Sequence, residues 1–167
     1  MTFVVFVVTF GLAFVCASLV EYIGHRLMHR GVLLAEAHRR HHADGRAKGV
    51  VWEFLHYVCG TLPLLPWGFF LGWAVGWGWL SAGVVYAFFS AYGHQLQHDR
   101  PEACFWMLGP PIHALHHLHD QQHCNFGLAV DWWDHLFGTW DPAGSEALPP
   151  RRPSWRGLIS VGWLSSR

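Results

Sequence analysis

Fourteen histidines occur in 167 residues, and ten of them fall in four short groups. HRLMH carries His25 and His29, and HRRHH carries His38, His41 and His42. HQLQH carries His94 and His98, and HALHH carries His113, His116 and His117. Residues spaced i, i+3 and i+4 share one helix face, so each group, if helical, aims its imidazoles in one direction. Ten imidazoles converging from four helical segments can complete the shells of two metal ions with four or five ligands each. Imidazole suits zinc, copper, iron and nickel. The alternative is a pH-sensitive polar surface, because histidine titrates near neutrality. The recurrence of a pair followed by a triplet, twice along the chain, favours metal. Other site chemistries find no footing: HExxH and GxSxG are absent, and only Glu53–His56 has the ExxH spacing of carboxylate di-iron bundles.

The elements that must position these groups are apolar. The chain is 52% hydrophobic and 13% charged, with eleven tryptophans and no net charge. That balance points to a membrane rather than to nucleic acid. Residues 2–20 carry no charge and are long enough to approach the span of a hydrocarbon core of about 30 Å. A cleaved signal peptide is the competing reading, but no Lys or Arg precedes the apolar run. A second tract, 54–93, suffices for two further spans, expected near 55–76 and 79–93 with GWG at 76–78 as the turn. Its glycines and aromatics, in PWGFFLGWAVGWGWL at 66–80, suit either close helix packing or a lipid slot. The segment 103–112 is too short to span and is expected at the interface. The four cysteines are scattered, and reduced thiols are expected.

An even number of spans between the histidine groups brings both sets to one membrane face. Arg26, Arg30, Arg39, Arg40, Arg46 and Lys48 outnumber Glu36 and Asp44 between residues 22 and 48. The positive-inside rule therefore places that face in the cytoplasm. The expected fold is an all-α integral membrane bundle of about three to four transmembrane helices with a cytoplasmic helical cap holding a dimetal site. The membrane-embedded domain is expected over 1–141 and a polar cytoplasmic tail over 142–167.

The four boxes, in this order, are followed by Asn125-Phe126-Gly127 and by WDHLFGT at 133–139. The combination resembles the fatty acid hydroxylase/sterol desaturase superfamily of membrane di-iron enzymes, over residues 21–141. The short length is similar to that of bacterial carotenoid β-hydroxylases, although the first box here has three intervening residues where those enzymes usually have four. The resemblance implies that the ten box histidines hold two iron ions, at a site whose imidazoles zinc would also accept. It implies O2 as co-substrate and oxidation, chiefly hydroxylation, of a C–H bond in a fatty acyl chain, sterol or carotenoid. Electrons would come from outside the chain, from a ferredoxin or cytochrome with its reductase, with Arg26, Arg30, Arg39 and Arg40 available to steer an acidic donor. A bacterial inner membrane is implied, with the histidines facing the cytoplasm. Asn125, Asp131 and Asp134 are expected behind the ligands, the two aspartates either orienting imidazoles or, for Asp134, capping a turn. His119 and His123 are expected as non-ligands, behind the ligands or facing solvent, with an additional ligand as the alternative. His56 is expected to pair with Glu53, and His135 to be structural. The alternative function is a non-enzymatic metal-binding, sensing or transport protein. A transporter, however, places ionisable ligands near mid-membrane, whereas these boxes follow the apolar spans.

Overall fold

The computed structural model describes residues 1–165. Among them there is no strand, and the chain runs through seven α-helices joined by short 3-10 turns. Helix α1 (Thr2–His29) starts in the charge-free segment and continues beyond it. At about 1.5 Å per residue it is some ten ångströms longer than a hydrocarbon core, so its last turns carry His25 and His29 clear of the apolar stretch. Helix α2 (Ala35–Asp44) holds the HRRHH box, and α3 (Val50–Thr61) opens the second apolar tract. Helix α4 (Trp73–Asp99) repeats the device of α1, an apolar run that ends in a histidine pair. The cap is completed by α5 (Ile112–Leu118), α6 (Trp132–Phe137) and α7 (Trp155–Ile159).

Two helices, α1 and α4, are long and apolar enough to cross a membrane, and a third crossing exists only if a bent pair counts as one. With the bent pair counted, this agrees with the lower end of the expected three to four spans. The pair is α3 and the 3-10 stretch Leu65–Leu71, bent by 47°. Pro63 and Pro66 lie at this break, where a missing N–H and ring clashes end a helix. The turn into α4 is not at GWG but at Gly72, whose φ of 120° is closed to L side chains. Residues 76–78 lie inside α4, where their glycines serve packing. A Cβ on Gly78 would come within 2.8 Å of the Phe6 carbonyl, so this glycine lets α4 and α1 approach closely. Glycine there packs helices rather than opening a slot.

Helix α4 is the spine of the bundle. Phe14 of α1 meets Tyr86 edge-on at 4.9 Å, and Phe54 of α3 meets Phe88 on the other side at 5.9 Å. Beneath the cap, Val50, Ala91, Leu96, Cys104, Met107, Ile112 and Val161 form one buried core. The segment 103–112 thus packs Ala103, Cys104, Met107 and Ile112 into this core while Phe105 and Leu108 stay exposed. The polar end also differs from a free tail. Gly162 and Trp163 carbonyls accept from Val50 N at 3.0 Å and Val51 N at 2.9 Å, satisfying donors at the start of α3. Asp99 in turn accepts from Gly162 N at 2.7 Å. All four cysteines are free thiols.

Gly72→Ala is expected to destabilise the protein by about 1–3 kcal/mol, the cost of forcing a side chain into a conformation reserved for glycine. Thermal unfolding in detergent checks it, with Gly60→Ala, at a position with open space for a methyl group, as the near-neutral control.

Candidate metal centre

All ten box histidines converge, and they do so as two clusters of five. His25, His29, His38, His42 and His116 form the first, and His41, His94, His98, His113 and His117 the second. Within each, one ligand atom per residue lies within 4.8 Å of all the others. The helix register explains the split. The i and i+4 residues of α2, His38 and His42, face the α1 pair, while the intervening His41 turns to the α4 pair. Helix α5 does the converse: His113 and His117 join α4, and His116 crosses to α1. Each triplet box therefore gives two ligands to one cluster and one to the other. The rings of His42 and His117, stacked at 4.2 Å, form the seam.

The ring nitrogens fit a cation. In the first cluster, Nε2 of His38 lies 2.8 Å from that of His29 and 3.2 Å from that of His25. Nε2 of His116 lies 2.9 Å from that of His29 and 3.2 Å from that of His42. In the second, His94 Nε2 is 3.1 Å from that of His41 and 3.2 Å from that of His98. Imidazole nitrogens about 2.0–2.1 Å from a common ion stand about 3.0 Å apart at right angles and about 3.4 Å apart at tetrahedral angles. The observed separations suit the former.

The opposite side of each ring decides whether Nε2 is free of its proton. His25 Nδ1 donates to the Phe126 carbonyl at 2.6 Å, His116 Nδ1 to the Cys124 carbonyl at 2.9 Å, and His41 Nδ1 to the Arg46 carbonyl at 3.1 Å. His29 Nδ1 donates to Gln122 Oε1 at 3.0 Å, and His94 Nδ1 to the buried carboxylate of Glu53. With the proton held on Nδ1, bare Nε2 lone pairs face one another and repel unless a cation lies among them. His113 and His117 make the point differently. All four of their ring nitrogens are buried, with no hydrogen-bond partner. Such groups are costly in a folded protein and signal a missing ligand.

Behind the ligands the arrangement differs in part from expectation. Neither Asp131 nor Asp134 reaches a box imidazole. Asp131 accepts from Leu108 N and Gly109 N at 3.1 and 2.8 Å, and faces only His135. Asp134, fully buried, accepts from Phe126 N, Gly127 N and Thr139 Oγ1 at 2.7–2.8 Å. It thereby fixes the peptide whose carbonyl holds His25, acting at one remove. Asn125, in left-handed backbone at φ 57°, donates to Gln121 and to the Asp141 carbonyl. His119 and His123 are exposed and outside both clusters. His56 bonds the Trp52 carbonyl and not Glu53.

Three buried groups escaped the sequence reading. Glu53 serves His94. Gln97 accepts from His113 N at 2.9 Å and donates to the Leu128 carbonyl. Glu21 accepts from Tyr86 Oη at 2.9 Å, Ser90 Oγ at 2.5 Å and Leu128 N at 2.9 Å, tying α1, α4 and the 125–130 loop together. The available signal was charge out of place: Glu21 is the sole charged side chain in the first twenty-five residues.

The result is an all-helical, membrane-capable bundle whose two longest helices each end in a histidine pair, and each pair belongs to a five-imidazole cluster that could hold a metal ion. The sequence profile of the Fatty acid hydroxylase family matches residues 10–139, and the chain belongs to that family. It is similar to "Methylsterol monooxygenase 1" of Gallus gallus, with 26% identity over 126 residues, 71% of this chain and 41% of that protein. The chain thus spans about two fifths of that relative's length. No solved structure matches it.

Burial holds His38, His41 and His116 neutral without metal. It lowers His38 from 6.5 to about 2, and His41 and His116 to about 3, with neighbouring imidazoles adding to the effect. These groups take up protons on unfolding. Their contribution to stability is complete above about pH 6.5 and is lost as pH falls toward about 3, at about 1.4 kcal/mol per pH unit for each histidine. The metal-free protein is expected to melt at steadily lower temperature between about pH 6.5 and about pH 4, and at constant temperature between about pH 7 and about pH 8. Circular-dichroism melts in detergent check this, and a flat profile through the acid range would count against it.

Proposed function

We propose that the protein oxidises a C–H bond of a lipid with O2, chiefly by hydroxylation, at a di-iron centre held by the ten box histidines. The observation that carries this reading is the pair of five-imidazole clusters at the ends of membrane-capable helices. Family membership and the likeness to a methylsterol monooxygenase support a lipid as substrate, of the sterol or acyl type. Iron bound there would supply the activation of O2 and of an unactivated C–H bond, chemistry that side chains alone lack.

The chain's own part is to position. The Nδ1–H donors of His25, His29, His41, His94 and His116 set each ring's tautomer and heading. Asp134, Glu21 and Gln97 hold the backbone that accepts from those rings or carries them. The apolar helices put the site beside the bilayer from which a lipid arrives. An apolar groove of about 570 Å³, lined by Phe14, Phe89, Phe105, Trp106 and Trp132, opens beside α1 and α4 and is a seat for a lipid tail. Trp106 of its lining packs against Gly93, the residue before His94.

In a hydroxylation one oxygen atom enters the alcohol and the other leaves as water, with two electrons and two protons taken from a donor. That donor is an external redox protein, a ferredoxin or cytochrome with its reductase. Arg26, Arg30, Arg39 and Arg40, with the positive-inside rule, favour a cytoplasmic face for the site.

Iron-loaded protein in lipid nanodiscs, given 18O2 and a reducing system, is expected to place one 18O atom in a lipid alcohol seen by mass spectrometry. His41→Ala and His116→Ala are each expected to lower that yield more than about a hundredfold, beyond the usual effect of removing an outer partner. Protein that holds two irons yet leaves every lipid unoxidised, or makes alcohol free of 18O, would move the reading to a metal-binding or transport protein.

A further inference from the structure

The two clusters are near-equivalent in ligand count and in the way the helices share them, but their surroundings differ. Among the described residues, Glu53 is the one buried carboxylate bonded to the Nδ1 of a box histidine. Four of the other box histidines lean on neutral oxygens: the carbonyls of Phe126, Arg46 and Cys124, and the amide of Gln122. Asp120 approaches His42 Nδ1 only to 3.5 Å, and its side chain is 75% exposed, so water screens its charge. Glu53 and His94 are each 7% exposed. Lys48 N at 2.9 Å and Tyr57 Oη at 3.4 Å hold the carboxylate in place. A carboxylate behind an imidazole makes the far nitrogen a stronger donor to a metal, and in a dry setting that effect is little screened.

Access differs in the same sense. A cleft of about 580 Å³ opens on the first cluster, lined by His29, His38, Arg39, His42, Asp120 and Gln122, whereas of the second cluster only His117 reaches it. Water and soluble chelators meet the first cluster from this side.

We infer that Glu53 is a positioning residue that makes the cluster of His41, His94, His98, His113 and His117 the more tightly held of two unequal metal sites, the first cluster being the exchangeable one. The inference rests on the reading of both clusters as metal sites. Glu53 touches neither metal nor substrate in this account; it acts through His94.

The test is the order in which the sites fill. Metal-free full-length protein receives one equivalent of 57Fe(II) anaerobically, then one of natural iron, and Mössbauer spectra are recorded. One quadrupole doublet is expected, kept in His42→Ala. Glu53→Gln preserves size and one oxygen acceptor but removes the charge. In that variant a second doublet of comparable area is expected, with iron lost from the retained site to a soluble chelator about ten- to a hundredfold faster. Two equal doublets in the unaltered protein overturn the proposal whether or not the variant folds. So does a doublet that disappears in His42→Ala, or an unchanged spectrum in a Glu53→Gln protein of unaltered helical content. Failure of the underlying reading looks different: less than one iron per chain, with the amount unaffected by His41→Ala.

Discussion

Ten imidazoles turned toward two common points are the constraint on which the rest of this protein depends. Lone pairs at 2.8–3.2 Å from one another repel, and an imidazole free to change tautomer would relieve that repulsion by turning its N–H inward. For five of the ten rings the structure prevents this from the far side, where backbone carbonyls, an amide and a carboxylate take the Nδ1 protons. The carbonyl acceptors belong to irregular chain, at 46 and 124–126, and irregular chain needs its own support. Asp134 supplies it for the Phe126 peptide and Glu21 for Leu128 and Ala129. Of the buried carboxylates, Glu53 bonds an imidazole directly and Asp134 does so through one peptide.

Membrane and site make compatible demands on the helices. A bilayer requires long apolar helices with internally satisfied backbone, and a long helix is also the stiffest mount for a ligand pair. Helices α1 and α4 meet both needs by continuing past the apolar stretch without a break. The close approach at Gly78 draws the two helices together at depth, and Glu21 joins them near the site. What lies between α3 and α4 is less regular, because Pro63, Pro66 and Gly72 bend the chain there.

The histidine boxes were legible because i, i+4 periodicity is a local property, fixed by helix geometry alone, and the order of the boxes carried the family. The charge-free segment 2–20 was legible for the same reason. What misled was glycine: a GWG triplet reads as a turn, yet Gly76 and Gly78 are there for what approaches them, whereas Gly72 makes the turn through its φ. Glycine's two uses are indistinguishable without the neighbouring helix. Glu53 was assigned to His56 by proximity along α3, and it serves His94, forty-one residues away. Asp131 and Asp134 were expected to orient imidazoles, and they bond backbone N–H groups instead; a sequence does not distinguish a carboxylate bonding an imidazole from one bonding the peptide that does. Nor could the split of each triplet between two clusters be read, since it depends on how α2 and α5 are rolled against α1 and α4.

That split has a topological meaning. Residues 1–49 contribute four imidazoles to one cluster and one to the other, and residues 50–165 contribute one and four. Neither half of the chain owns a complete set. An ion seated in either cluster would therefore be a cross-link between the two halves, joining segments as much as ninety-one residues apart, from His25 to His116. Two such links, in opposite senses, would lace the halves like a pair of crossed stitches. Assembly would then be coupled to metal supply: a chain starved of iron would keep its membrane helices while its cap stayed unlaced.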